Sequence, residues 1–204
     1  MRVKVLLTLL ALFVGFGASA QSLSEEFERE LKAKSAGITS IDAEMTQTRE
    51  VAVLADVVKK EGDFHFQAPN NILLSFDDGD YIKLSAEWFE MKSGANVTRR
   101  SASSNPMFKQ LSAMLTACMS GDVESIAKGF TPTITKGDKE WRVVLKPERG
   151  KGAAKIAEVE LIFDRKDMSL DSLKMVEKSG DYTMYTFRNK QFNMTKQGHT
   201  IYNF

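Results

Sequence analysis

Successive short segments of this chain carry apolar residues at every second position, and this alternation limits the fold more than any other feature. Between residues 140 and 146, Trp141, Val143 and Leu145 alternate with mostly polar neighbours. Side chains of a β-strand point alternately to its two faces, so each such segment has one apolar face. A long series of these strands must bury that face against a second sheet, or by curving one sheet onto itself.

The turns between the segments define about eleven antiparallel strands, one N-terminal helix starting at residue 22 or 24, and a helical insertion after the sixth strand. We therefore predict a mainly β fold with some α, an incomplete (unclosed) antiparallel β-barrel whose concave face is covered by helices. A single bulge would turn part of a strand's apolar set outward. The residues predicted to line an apolar cavity on the concave face are Phe64, Phe66, Ile72, Leu74, Phe76, Trp88, Trp141, Val143 and Leu145.

The helical insertion contains a strongly apolar segment, NPMFKQLSAMLTACMSG at residues 105–121. Asn105 can cap the first free amides, Pro106 suits the first helical position, and Gly121 provides a stop. We predict that this helix is a lid over the cavity, because flexible methionine side chains fill space that changes shape. Its spacing alone also fits a helix that simply packs in the core. The predicted lid residues, which recur at intervals of three and four, are Met107, Phe108, Leu111, Met114 and Leu115.

The first twenty residues have the pattern of a cleaved signal peptide. Arg2 and Lys4 precede an apolar run at residues 5–16, and small residues at 18–20 offer a cleavage site. The run is too short for an ordinary membrane-spanning helix, and no cysteine follows the cleavage site to accept a lipid anchor. We expect residues 1–20 to be removed and residues 21–204 to form one exported, soluble domain.

The charge balance and the scarcity of reactive side chains exclude several classes of function. The chain has 28 basic and 27 acidic residues, a balance that argues against broad nucleic-acid binding. Cys118 is the single cysteine, so no internal disulfide is expected, and the two histidines lie near no second ligand at metal-binding spacing. The sequence lacks the motifs of serine hydrolases and zinc peptidases, although it leaves open a pair of catalytic carboxylates. We expect no enzyme activity, no metal site and no cofactor.

Six short segments, in this order and spacing, make the sequence from about residue 41 to residue 193 resemble a known family. They are residues 45–47 (MTQ), 61–69 (EGDFHFQAP), 87–90 (EWFE), 105–106 (NP), 145–147 (LKP, before a glycine-rich loop) and 187–189 (FRN). The chain resembles the LolA family of periplasmic carriers for outer-membrane lipoproteins.

The resemblance implies an incomplete barrel whose concave face, closed by helices, shelters the acyl chains of a lipoprotein between the inner and outer membranes. It implies as partners the lipid moiety of acylated lipoproteins, an inner-membrane ABC lipoprotein-release complex and, less directly, an outer-membrane acceptor. We expect a monomeric periplasmic protein. The residues also leave open a carrier of another acylated lipid, a lipid- or lipoprotein-sensing interaction domain, and a secreted hydrolase.

One position departs from the family pattern. The family usually has an arginine immediately before the proline of the EGDFHFQAP segment, where it hydrogen-bonds to the lid, and this chain has Ala68. The departure predicts looser closure, a different cargo, or both. Arg99 or Arg100 could substitute, but nothing in the sequence places either beside the lid. If the helix is a lid, apolar side chains must hold it shut.

Overall fold

The computed structural model describes residues 15–53, 56–148 and 155–194. Residues 1–14 of the predicted signal peptide and most of the glycine-rich loop after Pro147 lie outside these ranges. Helical backbone is present from Gly15, the first described residue, so the N-terminal helix extends beyond the predicted start at residue 22 or 24. Residues 15–21 contain alanine and no proline, and nothing in them ends a helix.

Three α-helices, one 3₁₀ turn and eleven strands make up the described fold. In chain order they are α1 (Gly15–Ser35), β1 (Ser40–Val51), β2 (Asp56–Gln67), β3 (Asn71–Phe76), β4 (Tyr81–Leu84), β5 (Trp88–Ser93), β6 (Asn96–Ser101), the 3₁₀ turn (Ala102–Ser104), α2 (Pro106–Ser120), α3 (Val123–Ala127), β7 (Phe130–Lys136), β8 (Glu140–Pro147), β9 (Ile156–Asp164), β10 (Leu170–Glu177) and β11 (Tyr182–Phe192).

The strands form one antiparallel sheet in the order β6-β5-β4-β3-β2-β1-β11-β10-β9-β8-β7. Every neighbouring pair except β1 and β11 is also consecutive in the chain, so two meanders meet at that one pairing. The edge strands β6 and β7 do not pair with each other, and the sheet is not closed into a barrel. The predicted fold, an open antiparallel barrel with helices inserted after the sixth strand, is confirmed.

The residues that were expected to start and stop α2 do so. The side chain of Asn105 accepts hydrogen bonds from the amides of Met107, at 3.0 Å, and Phe108, at 3.4 Å. Gly121 follows the helix with a φ of 72°, and a side chain there would also collide with Ser35, whose Cβ lies 2.9 Å from the position of an added Cβ. The end of α2 is therefore fitted tightly against the end of α1.

Gly62 lies within β2, which continues without a break to Gln67. A Cβ added at Gly62 would lie 1.9 Å from the carbonyl oxygen of Ser75 and 2.8 Å from the Cα of Phe76. The glycine therefore allows the β3 backbone to approach β2 closely.

We predict that Gly62→Ala lowers the free energy of unfolding by at least about 3 kcal/mol, because the obstructing atoms belong to the backbone and cannot rotate away. Denaturant unfolding followed by circular dichroism measures the change. Gly137→Ala is the matched control, since its nearest obstruction is a carbonyl oxygen at 3.3 Å. Equal stabilities of the two variants would contradict the assigned role of Gly62.

Candidate functional site

The concave face of the sheet carries one continuous hydrophobic core, and eight of the nine predicted cavity residues belong to it. Each of these eight side chains is at most 8% exposed. The eight residues that the structure brings together are Phe64, Phe66, Ile72, Leu74, Phe76, Trp141, Val143 and Leu145. The strand alternation read from the sequence therefore points inward on both meanders.

Trp88 does not join this group. It is half-buried, and its ring lies 3.7 Å from the guanidinium carbon of Arg99, on the face opposite the core. The neighbouring Phe89 takes the inward position, is 5% exposed and pairs with Leu84. Consecutive strand residues point to opposite faces. The sequence signal that favours the inward position of Phe89 is the apolar residue two positions later, Met91.

Helix α1 covers the part of the core formed by β7 to β9. Phe27 is fully buried, and its ring packs edge-on against Trp141, with centroids 5.6 Å apart, and against Phe163 at 5.3 Å. Both Phe27 and Phe163 are core residues that the sequence reasoning did not select. Edge-on aromatic pairs of this kind add about 0.5–1.5 kcal/mol beyond their burial. Helix α1 is thus bound to the sheet by packed rings.

Polar contacts at the same place fix α1 further. The indole nitrogen of Trp141 donates a hydrogen bond to Glu30 at 2.9 Å. The ammonium of Lys136 donates to Glu26 at 2.5 Å and lies 3.7 Å from Glu30. The hydrogen bond from Lys136 lowers the pKa of the Glu26 carboxyl. Two acidic side chains of α1 are therefore held by partners on β7 and β8.

Helix α2 lies over the same concave surface but is held differently. Leu111, Met114 and Leu115 are at most 2% exposed, while Met107 and Phe108 are half-buried and pack against the core. The helix contains one charged residue, Lys109, and no ion pair joins α2 to the sheet among the described residues.

Two further contacts join α2 to the strands beneath it. The ring of Phe108 lies on that of Phe89, with centroids 4.6 Å apart. The hydroxyl of Ser112 donates a long hydrogen bond of 3.4 Å to the carbonyl oxygen of Ser85. Helix α2 is therefore held to the sheet mainly by apolar packing, in contrast to α1.

The described residues beneath α2 leave little free space. A narrow void under Met119 has no room for a water molecule. Ligand pockets for small molecules usually measure about 300–1,000 Å³, so this void cannot hold a long ligand unless a cover moves. The void is lined by Ile41, Ala43, Phe64, Met119, Ser169, Leu170, Phe187 and Lys190.

Two polar side chains on the concave face were not anticipated. Gln47 donates a hydrogen bond of 2.8 Å to the hydroxyl of Tyr185, which is 3% exposed. Burial raises the pKa of Tyr185 to about 12, so the phenol stays neutral at physiological pH. Cys118 on α2 is also buried, and its burial raises the pKa of the thiol. These groups are neutral and compatible with an apolar interior.

The outer face of the sheet carries a separate acidic pocket of about 290 Å³. Among the described residues, no group of three or more His, Cys, Asp or Glu side chains converges closely enough to hold a metal ion. No helix in the described ranges is both long and apolar enough to cross a membrane. The residues lining the acidic pocket are Glu44, Met45, Thr46, Glu61, Gly62, Asp63, Asp77 and Arg188.

The position of the family's arginine is exposed in this chain. Ala68 lies in the turn after β2, and its amide donates to the carbonyl oxygen of Thr39 at 2.9 Å. Arg99 stacks on Trp88 and lies 3.9 Å from Glu90. Neither Arg99 nor Arg100 forms an ion pair or hydrogen bond to α2 among the described contacts.

Comparisons with known structures give similarities at low identity. A LolA superfamily protein from Nitrosomonas europaea is 10% identical with a TM-score of 0.40, covering 87% of this chain and 94% of that one. Lipoprotein LppX of Mycobacterium tuberculosis is 11% identical with a TM-score of 0.45, covering 86% and 97%. A DUF1329 family protein from Desulfovibrio piger is 10% identical with a TM-score of 0.46, covering 88% and 94%. These TM-scores are below 0.5 and carry no weight in assigning the family.

The sequence itself decides the assignment. No curated protein sequence matches significantly. The family model described as "Outer membrane lipoprotein carrier protein LolA" matches residues 36–198, from the end of α1 through β11. Since this match spans most of the chain, the protein belongs to the LolA family.

Proposed function

We propose that this protein is a periplasmic carrier that shelters the acyl chains of lipoproteins between its sheet and α2, and moves them from the inner to the outer membrane. Membership of a family described as a lipoprotein carrier supports a protein that binds lipid or lipoprotein and performs no chemistry. The observation that carries the proposal is an apolar interior with two covers, of which α1 is fixed by polar contacts as well as packed rings, and α2 is held mainly by apolar packing.

The energies of closing and of loading are comparable. Burial of the lid side chains contributes on the order of 10 kcal/mol to closure, at roughly 1.5–3 kcal/mol for each of the three that are fully buried and less for the half-buried Met107 and Phe108. An acyl chain of about 15 methylene groups contributes a similar amount when it leaves water, at about 0.8 kcal/mol per group. Acyl chains can therefore replace the contacts of α2 at little net cost, which suits a carrier that must both load and release.

The proposal assigns separate roles to the two helices and to the partners. Helix α1 remains in place, while α2 moves away from β3 and β5 and admits the acyl chains. The chain has no phosphate-binding loop motif, so an inner-membrane ABC lipoprotein-release complex would supply the energy for loading. An outer-membrane acceptor would receive the cargo from a monomeric carrier.

A carrier of another acylated lipid is the second candidate, and Ala68 favours it. The family's arginine at this position hydrogen-bonds to the lid, so its replacement is compatible with a cargo that needs a different closing contact.

We predict that the protein recovered from the periplasm carries acylated lipoproteins, because its interior is apolar and acyl chains can replace the mainly apolar contacts that hold α2. Native mass spectrometry, followed by lipid and peptide analysis of the bound material, identifies the cargo. Triacylated lipoprotein supports the main proposal, and an acylated lipid without protein supports the second candidate. A protein that is empty and also takes up neither cargo from membranes contradicts both.

We predict that locking α2 to the sheet abolishes the uptake of acyl chains. Ser85→Cys combined with Ser112→Cys puts one thiol on α2 and one on the segment beneath it, where the Ser112 hydroxyl donates to the backbone carbonyl oxygen of Ser85. Because the Ser85 hydroxyl itself is turned toward the backbone of Trp88, a short bis-maleimide joins the two thiols in place of a disulfide. The cross-linked variant should bind a fluorescent fatty-acid probe at least about tenfold more weakly than the same variant without the cross-linker. The variant without the cross-linker is the control, and mass spectrometry verifies that the cross-link has formed. Equal binding by both forms would show that α2 need not move.

We predict that Cys118 reports the opening of α2. The thiol is 3% exposed and should react slowly with an alkylating reagent at neutral pH. Ser112→Ala removes the hydrogen bond to Ser85 and should raise the labelling rate about 2- to 10-fold, the range expected for one neutral hydrogen bond. Val97→Cys gives the rate of an exposed thiol in the same protein. A labelling rate at Cys118 as fast as at position 97 would contradict the closed state.

A further inference from the structure

The hairpin formed by β1 and β2 ends in exposed apolar side chains. The hairpin tip is defined as Ala52, Val53, Val57 and Val58, of which the three valines are 86%, 48% and 49% exposed. Among the described residues, the remaining large hydrophobic side chains with comparable exposure are Val97 and Met194, on β6 and after β11. Three of the five exposed residues are therefore gathered at one end of one hairpin.

The tip lies at an end of the sheet where β2 has a free outer edge. Strand β3 pairs with β2 only over residues 62–67, so the first half of β2 has no strand on its outer side, while β11 borders β1 as far as Glu50. Val57 and Val58 are consecutive and point to opposite faces of the hairpin, while Val53 lies in the turn after β1. Exposed apolar side chains are therefore present on both faces of the hairpin and at its end. A flat protein surface would cover one of these faces, whereas the interface of a lipid bilayer would contact the end and both faces together.

Charged side chains of both signs lie beside the tip. Arg49 and Lys59 are exposed directly behind the valines. Three acidic residues, Glu50, Asp56 and Asp181, lie beside the same end of the hairpin. Long basic side chains beside an apolar tip can reach lipid phosphates while the valines enter the interface. Because acidic groups offset this basic pair, we expect the valines, and not net charge, to supply most of the binding.

We propose that the hairpin tip inserts into the interfacial layer of a phospholipid bilayer and docks the protein on the membrane. This inference rests on the proposed function, since a carrier of acyl chains exchanges them at membranes. The void under Met119 is lined by Ala43 of β1, which lies eight strand positions, or about 26 Å, from Val51 at the end of β1. Docking and cargo binding therefore use separate parts of the molecule and can be tested separately.

The first test compares vesicle binding by the unmodified protein with vesicle binding by two variants. Each protein is the full chain, expressed with its own N-terminus and recovered from the periplasm. The variant V53T/V57T/V58T keeps the shape and the β-branching of each side chain but adds hydroxyl groups. We expect its association with vesicles of phosphatidylethanolamine and phosphatidylglycerol to fall about tenfold, with thermal unfolding unchanged. Val97→Thr, at an exposed valine outside the tip, is the matched control and should bind vesicles as the unmodified protein does.

The second test places a reporter at the tip. Val53→Cys, labelled with an environment-sensitive fluorophore, should show increased emission with vesicles, and Val97→Cys should not. The native thiol at Cys118 is buried, so we expect it to label far more slowly than a thiol at position 53. Vesicle binding that is unaffected by V53T/V57T/V58T, the absence of binding by the unmodified protein, or a response at position 97 without one at position 53 would each overturn the proposal.

Uptake of the fatty-acid probe without vesicles separates this inference from the proposed function. The V53T/V57T/V58T variant should take up the probe as the unmodified protein does. Probe uptake without tip-dependent vesicle binding would overturn membrane docking and leave the carrier proposal standing. Tip-dependent vesicle binding without probe uptake would support docking and contradict the carrier proposal.

Discussion

The pairing of β1 with β11 is the constraint on which the rest of the molecule depends. It joins two meanders whose other strand pairs all connect consecutive strands. Asn193 secures the end of this junction, because its side chain accepts from the Thr39 amide at 2.7 Å and donates to the Gly37 carbonyl at 2.9 Å. With the meanders joined at their centre, β6 and β7 are left as the two outer edges. The chain must pass between them, and α2 and α3 form that passage across the concave face.

This topology explains why one cover is fixed and the other is not. Helix α1 precedes the first strand and can be bound permanently, through Phe27 in the core and Glu30 at the indole of Trp141. Helix α2 is tied at both ends to edge strands and held between them by apolar contacts, with Ser112 supplying one long hydrogen bond. Apolar contacts have little directionality, so acyl chains can replace them in many arrangements.

The sequence predicted the parts of this architecture that local physics determines. Alternation identified the strands, and Asn105 and Gly121 marked the ends of α2 because capping depends on the residues themselves. The sequence could not determine the features that depend on contacts between neighbouring strands. Trp88 was predicted to face inward, but register places Phe89 there, and the close approach of β3 to Gly62 has no local signal. The sequence likewise did not show that α1 covers part of the core, because the position of α1 depends on its contacts with β7 and β8.

The absence of the family's arginine at Ala68 is consistent with the way the interior is closed. A lid held by an arginine gains closing energy from directed hydrogen bonds, which depend on one geometry. In this chain the described contacts of α2 are those of Leu, Met and Phe side chains, together with the pair of Ser112 and Ser85. Closure then competes with acyl chains through the same hydrophobic effect that binds them, and ionic strength has little influence on it. The ease of opening is therefore set by the apolar area that α2 buries, so cargo with more methylene groups shifts the balance further toward the open state.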